Sequence, residues 1–217
     1  MKVVIRNKLH QSLMKRYMLV EKIRKYLYEI TPKLNERFES RERLLQLSRE
    51  VIRYCGEAIS LTHRLKREEA KEKLKIAIQK LTQINERIKK YPELLYGDIG
   101  TAYQEVSEAL FVMQVIFGED INLPEELEIP EIWYILGIAD GIGELRRRVL
   151  ELLKLNKLNE AERVYNIMEE IYEELWKLEY PKSLVPNLRQ KIDTLRRIIE
   201  ETNHDIYLAK ITLHNSL

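Results

Sequence analysis

The fold class is most evident in residues 101–117, TAYQEVSEALFVMQVIF, and in residues 132–145, IWYILGIADGIGEL. Both stretches are apolar on nearly every side of a helix, which is typical of helices buried in a core or an interface. The 217 residues include only 7 Gly and 6 Pro. Few folds built from strands and turns could form with so few turn residues, whereas helices need few of them. We therefore predict an all-α protein.

On either side of these stretches, apolar residues recur at helical spacing along the rest of the chain. The first such stripe comprises Leu13, Tyr17, Val20, Ile23, Leu27 and Ile30. Breaker residues separate the predicted helices, at Thr31-Pro32, Tyr91-Pro92, Gly118 and Tyr180-Pro181, and Pro186 is expected in the first turn of the last helix. The pattern predicts seven helices with short connections, forming one bundle-like domain over residues 1–217.

Cysteine content and hydropathy narrow the class of protein. The single cysteine, Cys55, excludes an intrachain disulfide framework and a cysteine-based zinc site. No apolar run is long enough for a signal peptide or a membrane span. We expect a soluble cytoplasmic protein.

The formal net charge of +2 conceals an uneven distribution of charge. Residues 1–26 contain eight Lys or Arg and one Glu, and residues 64–90 contain ten Lys or Arg and four Glu. Residues 97–145 contain eleven Asp or Glu and no Lys or Arg. This asymmetry indicates either basic surfaces for a polyanion beside a separate acidic pocket, or solvated helix faces beside an acidic loop.

Each of the two apolar stretches carries a pair of acids at helical spacing: Glu105 and Glu108 in the first, Asp140 and Glu144 in the second. Each pair falls on one face of its helix. A buried carboxylate is costly unless it is paired, hydrogen-bonded or bound to a metal ion. A cluster of oxygen donors suits Mg²⁺ or Mn²⁺, and such an ion would activate water and neutralise charge on a phosphodiester. The alternative is that arginines from another helix pair with these acids.

Two other sequence patterns, a set of spaced glycines and an E-x-x-H segment, do not indicate a functional site. Gly137, Gly141 and Gly143 form a spaced glycine pattern that indicates close approach of another helix, since no strand precedes it as a phosphate loop requires. The segment from Glu201 to His204 is the only E-x-x-H in the chain. Ferritin-like di-iron sites need two such motifs, which disfavours that interpretation.

Three blocks of the sequence are similar to motifs of one known family. The first block is RERLLQLSRE at residues 41–50, continued by ISLTHR at 59–64. The second is QEVSEA at 104–109, similar to a Q-E-x-x-E-A motif. The third is YILGIAD at 134–140 followed by GELRR at 143–147, similar to Y-L-L-G-x-x-D-x-x-G-E-L-x-R. Together the blocks resemble the translin family, and within it the translin-associated factor X (Trax-like) subunits. In order and spacing the resemblance runs from about residue 20 to residue 210.

The resemblance implies a seven-helix fold that assembles into a hollow octamer enclosing RNA. In the family, the factor X-like subunit is a Mg²⁺-dependent endoribonuclease, and Glu105, Glu108 and Asp140 match its catalytic, metal-binding acids. Glu144 matches a nearby acid that we also assign to the metal site. The segment Asp140-Gly-Ile-Gly-Glu144 departs from the family's usual D-L-T-G-E, which keeps the acids in place but alters the expected packing around them.

The family's substrates are short single-stranded or nicked RNAs, and single-stranded DNA is a further expected partner. Basic faces would hold phosphates without sequence preference. Our candidates for these contacts are Arg43, Arg64, Lys66 and Arg147. Two alternatives remain at this point: a non-catalytic nucleic-acid-binding protein like translin, and a structural helical bundle whose acids form salt bridges.

Overall fold

A computed structural model describes residues 2–118 and 125–214 of the chain. Within those two ranges the protein is all-helical and contains no strand. Six α-helices and one short 3-10 helix follow one another: α1 (Lys2–His63), α2 (Arg67–Lys90), the 3-10 helix (Pro92–Leu94), α3 (Asp98–Phe117), α4 (Glu131–Lys154), α5 (Leu158–Trp176) and α6 (Leu188–His214). The all-α prediction is confirmed, and no described helix combines the length and apolar character needed to cross a membrane.

The predicted number of seven helices is wrong, because the first two predicted helices form the single helix α1. Pro32 lies inside α1 and does not end it. A proline removes one helical hydrogen bond, the one to the carbonyl four residues earlier, here that of Tyr28. Tyr28 is 81 % exposed, so water can satisfy this carbonyl. The residues on either side contain no second helix breaker, so the helix continues.

The other predicted helix ends agree closely with the structure. α2 ends at Lys90, just before Tyr91-Pro92, and α3 ends at Phe117. Gly118 caps α3 with a φ of 65°, a left-handed conformation that glycine adopts without steric cost. Pro186 was expected inside the first turn of the last helix, but α6 begins two residues later, at Leu188. The acidic loop that follows Gly118 falls partly on residues 119–124, which lie outside the described residues.

The chain divides into two compact units, Met1–Arg43 and Leu44–Leu217. The expectation of a single domain over residues 1–217 stays a prediction. The first unit contains the N-terminal part of α1, where four members of the predicted apolar stripe are exposed. Its members Tyr17, Val20, Ile23 and Leu27 are between 49 and 65 % exposed.

The second unit contains the C-terminal part of α1 and all the other helices. One buried cluster joins α1, α2 and α3, and its largest fully buried side chains include Leu47, Leu81 and Tyr103. A second cluster joins α4, α5 and α6, with Leu145 and Met168 at its centre. Among α2 to α6, α3 and α4 pack against each other most extensively. The helices predicted to be apolar on all sides are thus the buried pair.

Small residues allow the close approach of α3 and α4. A Cβ atom added to Gly137 would lie 2.3 Å from the backbone oxygen of Gln104 and 2.6 Å from the Cβ of Ser107. One added to Gly141 would lie 2.5 Å from the ring of Phe111. The interpretation of the glycine pattern as a site of helix approach is confirmed at these two positions. The same contact brings the two pairs of acids toward each other.

Candidate functional site

The four acids that the sequence singled out lie on the facing sides of α3 and α4. Glu105 and Glu108 project from α3, and Asp140 and Glu144 project from α4; all four are half-buried. Gln104 on α3 donates a hydrogen bond from Nε2 to Oδ2 of Asp140 on α4. This bond ties the two helices together beside the acids.

The acids interact strongly enough to alter one another's protonation. Burial, with repulsion from Glu105, Asp140 and Glu144, raises the pKa of Glu108 to about 8. Burial and the charge of Asp140 also raise the pKa of Glu105. Burial and the same two glutamates of α3 raise the pKa of the Cys55 thiol on α1, so this buried cysteine lies beneath the cluster. Burial and mutual repulsion therefore disfavour the charged forms of Glu105 and Glu108.

A lysine from a distant part of the chain contacts the cluster. Nζ of Lys191, in the first turn of α6, forms an ion pair with Oδ1 of Asp140. Both side chains are largely buried, at 25 and 30 % exposure. The charge of Lys191 also lowers the pKa values of Glu105 and Glu108, although burial and repulsion outweigh it. The alternative drawn from the sequence was that arginines of another helix pair with these acids. Asp140 does pair with a basic residue of another helix, but that residue is a lysine.

A histidine at the end of α1 engages the fourth acid. Nε2 of His63 lies 2.9 Å from Oε2 of Glu144. The His63 side chain is 1 % exposed, and its other ring nitrogen, Nδ1, has no hydrogen-bond partner. The hydrogen bond from His63 lowers the pKa of Glu144, and electrostatic interactions with His63 and Arg147 act in the same direction. Glu144 is thus held as a carboxylate, unlike its neighbour Glu108.

The chemistry of these donors fits a hard divalent cation such as Mg²⁺ or Mn²⁺, which prefers carboxylate oxygens and relieves repulsion among them. The side-chain positions do not form a ready ligand set. Among the residues of the described ranges, no group of three or more His, Cys, Asp or Glu side chains is arranged to hold one ion. Two of the four acids are engaged, Asp140 by Lys191 and Glu144 by His63. A cation would therefore compete with Lys191 for Asp140.

The structure places the four basic residues predicted to contact RNA on or directly after α1 and on α4. Arg147 is exposed on α4 and close enough to Glu144 to lower its pKa. Arg64 and Lys66 follow His63 directly and are exposed, with Lys66 bonded to Glu69 at 2.9 Å. Arg43 is half-buried and belongs to the first unit.

Lys191, Gln104 and His63 were not assigned to the site from the sequence. Gln104 adjoins Glu105 in the QEVSEA block, so its position relative to the acids was a usable signal. His63 has no other histidine near it in the sequence, so no metal-ligand spacing marks it. Lys191 offers no local signal, because it lies 51 residues from Asp140 and only packing brings them together.

The raised pKa of Glu108 predicts a pH dependence of stability. Its value of about 8 in the folded chain exceeds the ordinary 4.5, so the folded state holds this proton more tightly than the unfolded state. Protonated Glu108 contributes fully to the free energy of unfolding below about pH 4.5. This contribution is lost as the pH rises through 8. In EDTA, we expect Glu108→Gln to raise the free energy of unfolding at pH 8 by roughly 1–3 kcal/mol, with a smaller gain at pH 5. Thermal and urea unfolding at both pH values measure the difference.

Glu144→Gln is the matched control, because the pKa of Glu144 is lowered and its contribution has the opposite sign. This variant should be less stable than the parent above about pH 5, since it loses the charged partner of His63. A Glu108→Gln protein with the parent's stability at both pH values would contradict an uncompensated carboxylate cluster.

Comparison with known proteins assigns the family. A model of the translin family matches residues 39–211 of the chain. The chain belongs to the translin family. This confirms the family that the three sequence blocks indicated, and the matched range contains all four acids together with His63 and Lys191.

The translin-family chain is 42 % identical, over 173 residues, to an uncharacterized protein of Methanocaldococcus jannaschii, covering 76 % of this chain and 74 % of that protein. Its structure is similar to a crystal structure of AfC3PO, with a TM-score of 0.80 and 36 % identity over 86 % of this chain and 98 % of the other. AfC3PO in complex with duplex RNA gives the same TM-score, identity and coverage of this chain, and 97 % of that chain is covered. Apo-NeC3PO shares the fold, with a TM-score of 0.77, 23 % identity and coverage of 84 and 96 %.

Proposed function

We propose that this translin-family protein is a Mg²⁺-dependent endoribonuclease of the Trax-like type, acting on short single-stranded or nicked RNA. Mn²⁺ is the alternative ion. The observation that carries the proposal is the cluster of four half-buried acids on α3 and α4, with the pKa of Glu108 raised to about 8. A protein that only binds RNA gains nothing from carboxylates that repel a polyanion. The structural similarity to AfC3PO in complex with duplex RNA supports RNA as the substrate class.

Each acid has a role in this proposal. Glu105, Glu108 and Asp140 would hold the ion, and Glu144, oriented by His63, would complete the acidic set. When bound, Mg²⁺ activates a water molecule and neutralises charge on the scissile phosphate. Gln104 keeps Asp140 directed toward α3 through its hydrogen bond. The half-buried position of the acids limits the access of bulk water, which strengthens their electrostatic effect.

The second candidate is a nucleic-acid-binding protein without catalysis, like translin. One observation favours it: Lys191 already neutralises Asp140, and no three of the described His, Cys, Asp and Glu side chains are arranged around one ion. In that case the acids would stabilise the contact between α3, α4 and α6, and Mg²⁺ would have no effect on RNA.

One experiment separates the two candidates. Purified protein is incubated with end-labelled single-stranded RNA and with the same RNA in a nicked duplex, in Mg²⁺ or in EDTA, and the products are resolved on a denaturing gel. We expect cleavage in Mg²⁺ alone. RNA that is bound, as measured by filter retention, but stays intact in Mg²⁺ and Mn²⁺ would establish the non-catalytic candidate.

The basic residues after α1 predict a salt-dependent affinity for RNA. Replacing Arg64 and Lys66 together by Ala should weaken binding about equally for RNAs of different sequence, since phosphate contacts carry no sequence information. The slope of log K against log salt should shrink by roughly 0.7 per lost contact on single strands. The matched control removes Lys157 and Lys177, which also pair with glutamates three residues away. Equal slopes for the two double variants would exclude a specific role for Arg64 and Lys66.

We also propose that the chain assembles with copies of itself, as an octamer in the hollow form that the family resemblance implies. The apolar sides of α3 to α6 are largely buried within the second unit. The unburied apolar surface lies mainly on α1, where Tyr17, Tyr28 and Phe38 are more than 60 % exposed. An exposed stripe of this kind predicts association. Light scattering should give several times 26.0 kDa at micromolar concentration; a stable monomer would contradict the assembly.

A further inference from the structure

Lys191 is the one feature of the site that the catalytic proposal leaves without a role. It forms an ion pair with Asp140 and, through its charge, lowers the pKa values of Glu105 and Glu108. It therefore supplies the positive charge that a bound cation would otherwise supply. Only 25 % of the Lys191 side chain is exposed, so this ion pair is more buried than a pair between surface side chains.

A cavity of about 400 Å³ lies beside this ion pair, between α4 and α6. Asp140 and Gly143 line it from α4, and Lys191 and Thr194 line it from α6. Asn187 and Gln190 add two amide side chains to its wall. Amides, a hydroxyl and an ammonium group are donors suited to phosphate oxygens, and the volume is in the range of small-ligand sites.

We propose that this cavity binds a backbone phosphate of RNA, and that Lys191 moves from Asp140 to that phosphate when a divalent cation binds the acids. The inference rests on the proposed function, because it assumes a cation at the carboxylates. The cavity and the acids share Asp140, so the phosphate and the cation sites adjoin.

Electrostatics gives the reason for the exchange. A divalent cation repels the nearby ammonium group and competes with it for the same carboxylate. A lysine side chain has a flexible four-carbon stem, so its Nζ can reach a new partner without movement of α6. The ammonium group then forms an ion pair with a phosphate in the cavity, and no unpaired buried charge remains. Without the cation, Asp140 retains Lys191 and the phosphate loses this contact.

Lys191→Gln tests the exchange through binding alone. Affinity for a fluorescein-labelled single-stranded RNA is measured by anisotropy in EDTA and in excess Ca²⁺, an oxygen-seeking cation, and a denaturing gel checks that the RNA stays intact. In Ca²⁺ we expect the variant to bind RNA about three- to tenfold more weakly than the parent, with a salt slope smaller by roughly 0.7. In EDTA the two proteins should bind equally. Lys191→Arg, which keeps the charge, should restore most of the affinity in Ca²⁺.

Titration of Mn²⁺ into the RNA-free protein is the second readout. Removing the competing ammonium group should raise the affinity of Lys191→Gln for Mn²⁺ by about tenfold. Arg189→Gln is the matched control, since Arg189 lies on the same helix turn but does not line the cavity. Its effect on RNA affinity should be the same in EDTA and in Ca²⁺, and its affinity for Mn²⁺ should equal the parent's. Thermal unfolding confirms that each variant folds.

Two results would overturn the exchange. RNA affinity reduced equally in EDTA and in Ca²⁺ would make Lys191 a permanent phosphate contact. Unchanged RNA affinity in both would make it a structural partner of Asp140 only. Cleavage by the parent protein in Mg²⁺ is assayed in parallel, so that a failure of the exchange is distinguished from a failure of the proposed endoribonuclease activity.

Discussion

Glu105→Gln, Glu108→Gln and Asp140→Asn should each lower the rate of RNA cleavage in Mg²⁺ by roughly a hundredfold or more. Each substitution removes one ionisable carboxyl group from the cluster while preserving the size of the side chain. The expected loss is in catalysis and not in binding, because a carboxylate does not attract RNA. Single-turnover cleavage at saturating RNA, beside anisotropy measurements of affinity, separates the two quantities.

Glu131→Gln serves as the control for these variants. Glu131 is an exposed acid in the first turn of α4 and lies outside the cluster, so its neutralisation should leave the cleavage rate unchanged. In EDTA, Glu108→Gln should be at least as stable as the parent, which excludes unfolding as the cause of its lost activity. Substantial cleavage by Asp140→Asn would refute the role of Asp140 in catalysis.

Gly137→Ala should have the largest effect on stability of any single added methyl group on α4. Its Cβ would lie 2.3 Å from the backbone oxygen of Gln104, and backbone in a packed helix cannot move aside as the end of a side chain can. Relieving the clash requires α3 and α4 to separate. We expect a loss of about 3 kcal/mol in the free energy of unfolding, or roughly 10 °C in Tm. Cleavage should fall as well, because the same separation moves Glu105 and Glu108 away from Asp140.

Gly143→Ala, on the same helix, should not lower the stability of the protein. A Cβ at Gly143 would meet nothing within 4 Å. Alanine has a higher helix propensity than glycine by about 1 kcal/mol, so this variant should be as stable as the parent or more so. Urea unfolding of the two variants measures the difference. Equal stability of Gly137→Ala and the parent would mean that α3 and α4 do not approach as closely as the structure describes.

Local sequence pattern was sufficient for the helical class, most helix ends and the placement of each acid on its helix. These properties depend on neighbours within one or two turns, so that Glu105 and Glu108 share a face wherever α3 packs. Pro32 shows the limit of such reasoning. Proline disfavours a helix interior by a few kcal/mol, but the helix is exposed to water at Tyr28, and exposure is not a local property of the sequence.

The partners of the acids depended on packing between distant segments. His63 is 81 residues from Glu144, and Lys191 is 51 residues from Asp140. No periodicity relates residues at such separations, because the angle and distance between helices follow from the whole interface. The sequence pattern therefore predicted an acidic cluster. The packing of α1, α3, α4 and α6 determined that Asp140 pairs with a lysine and Glu144 with a histidine. It also raised the pKa of Glu108 to about 8.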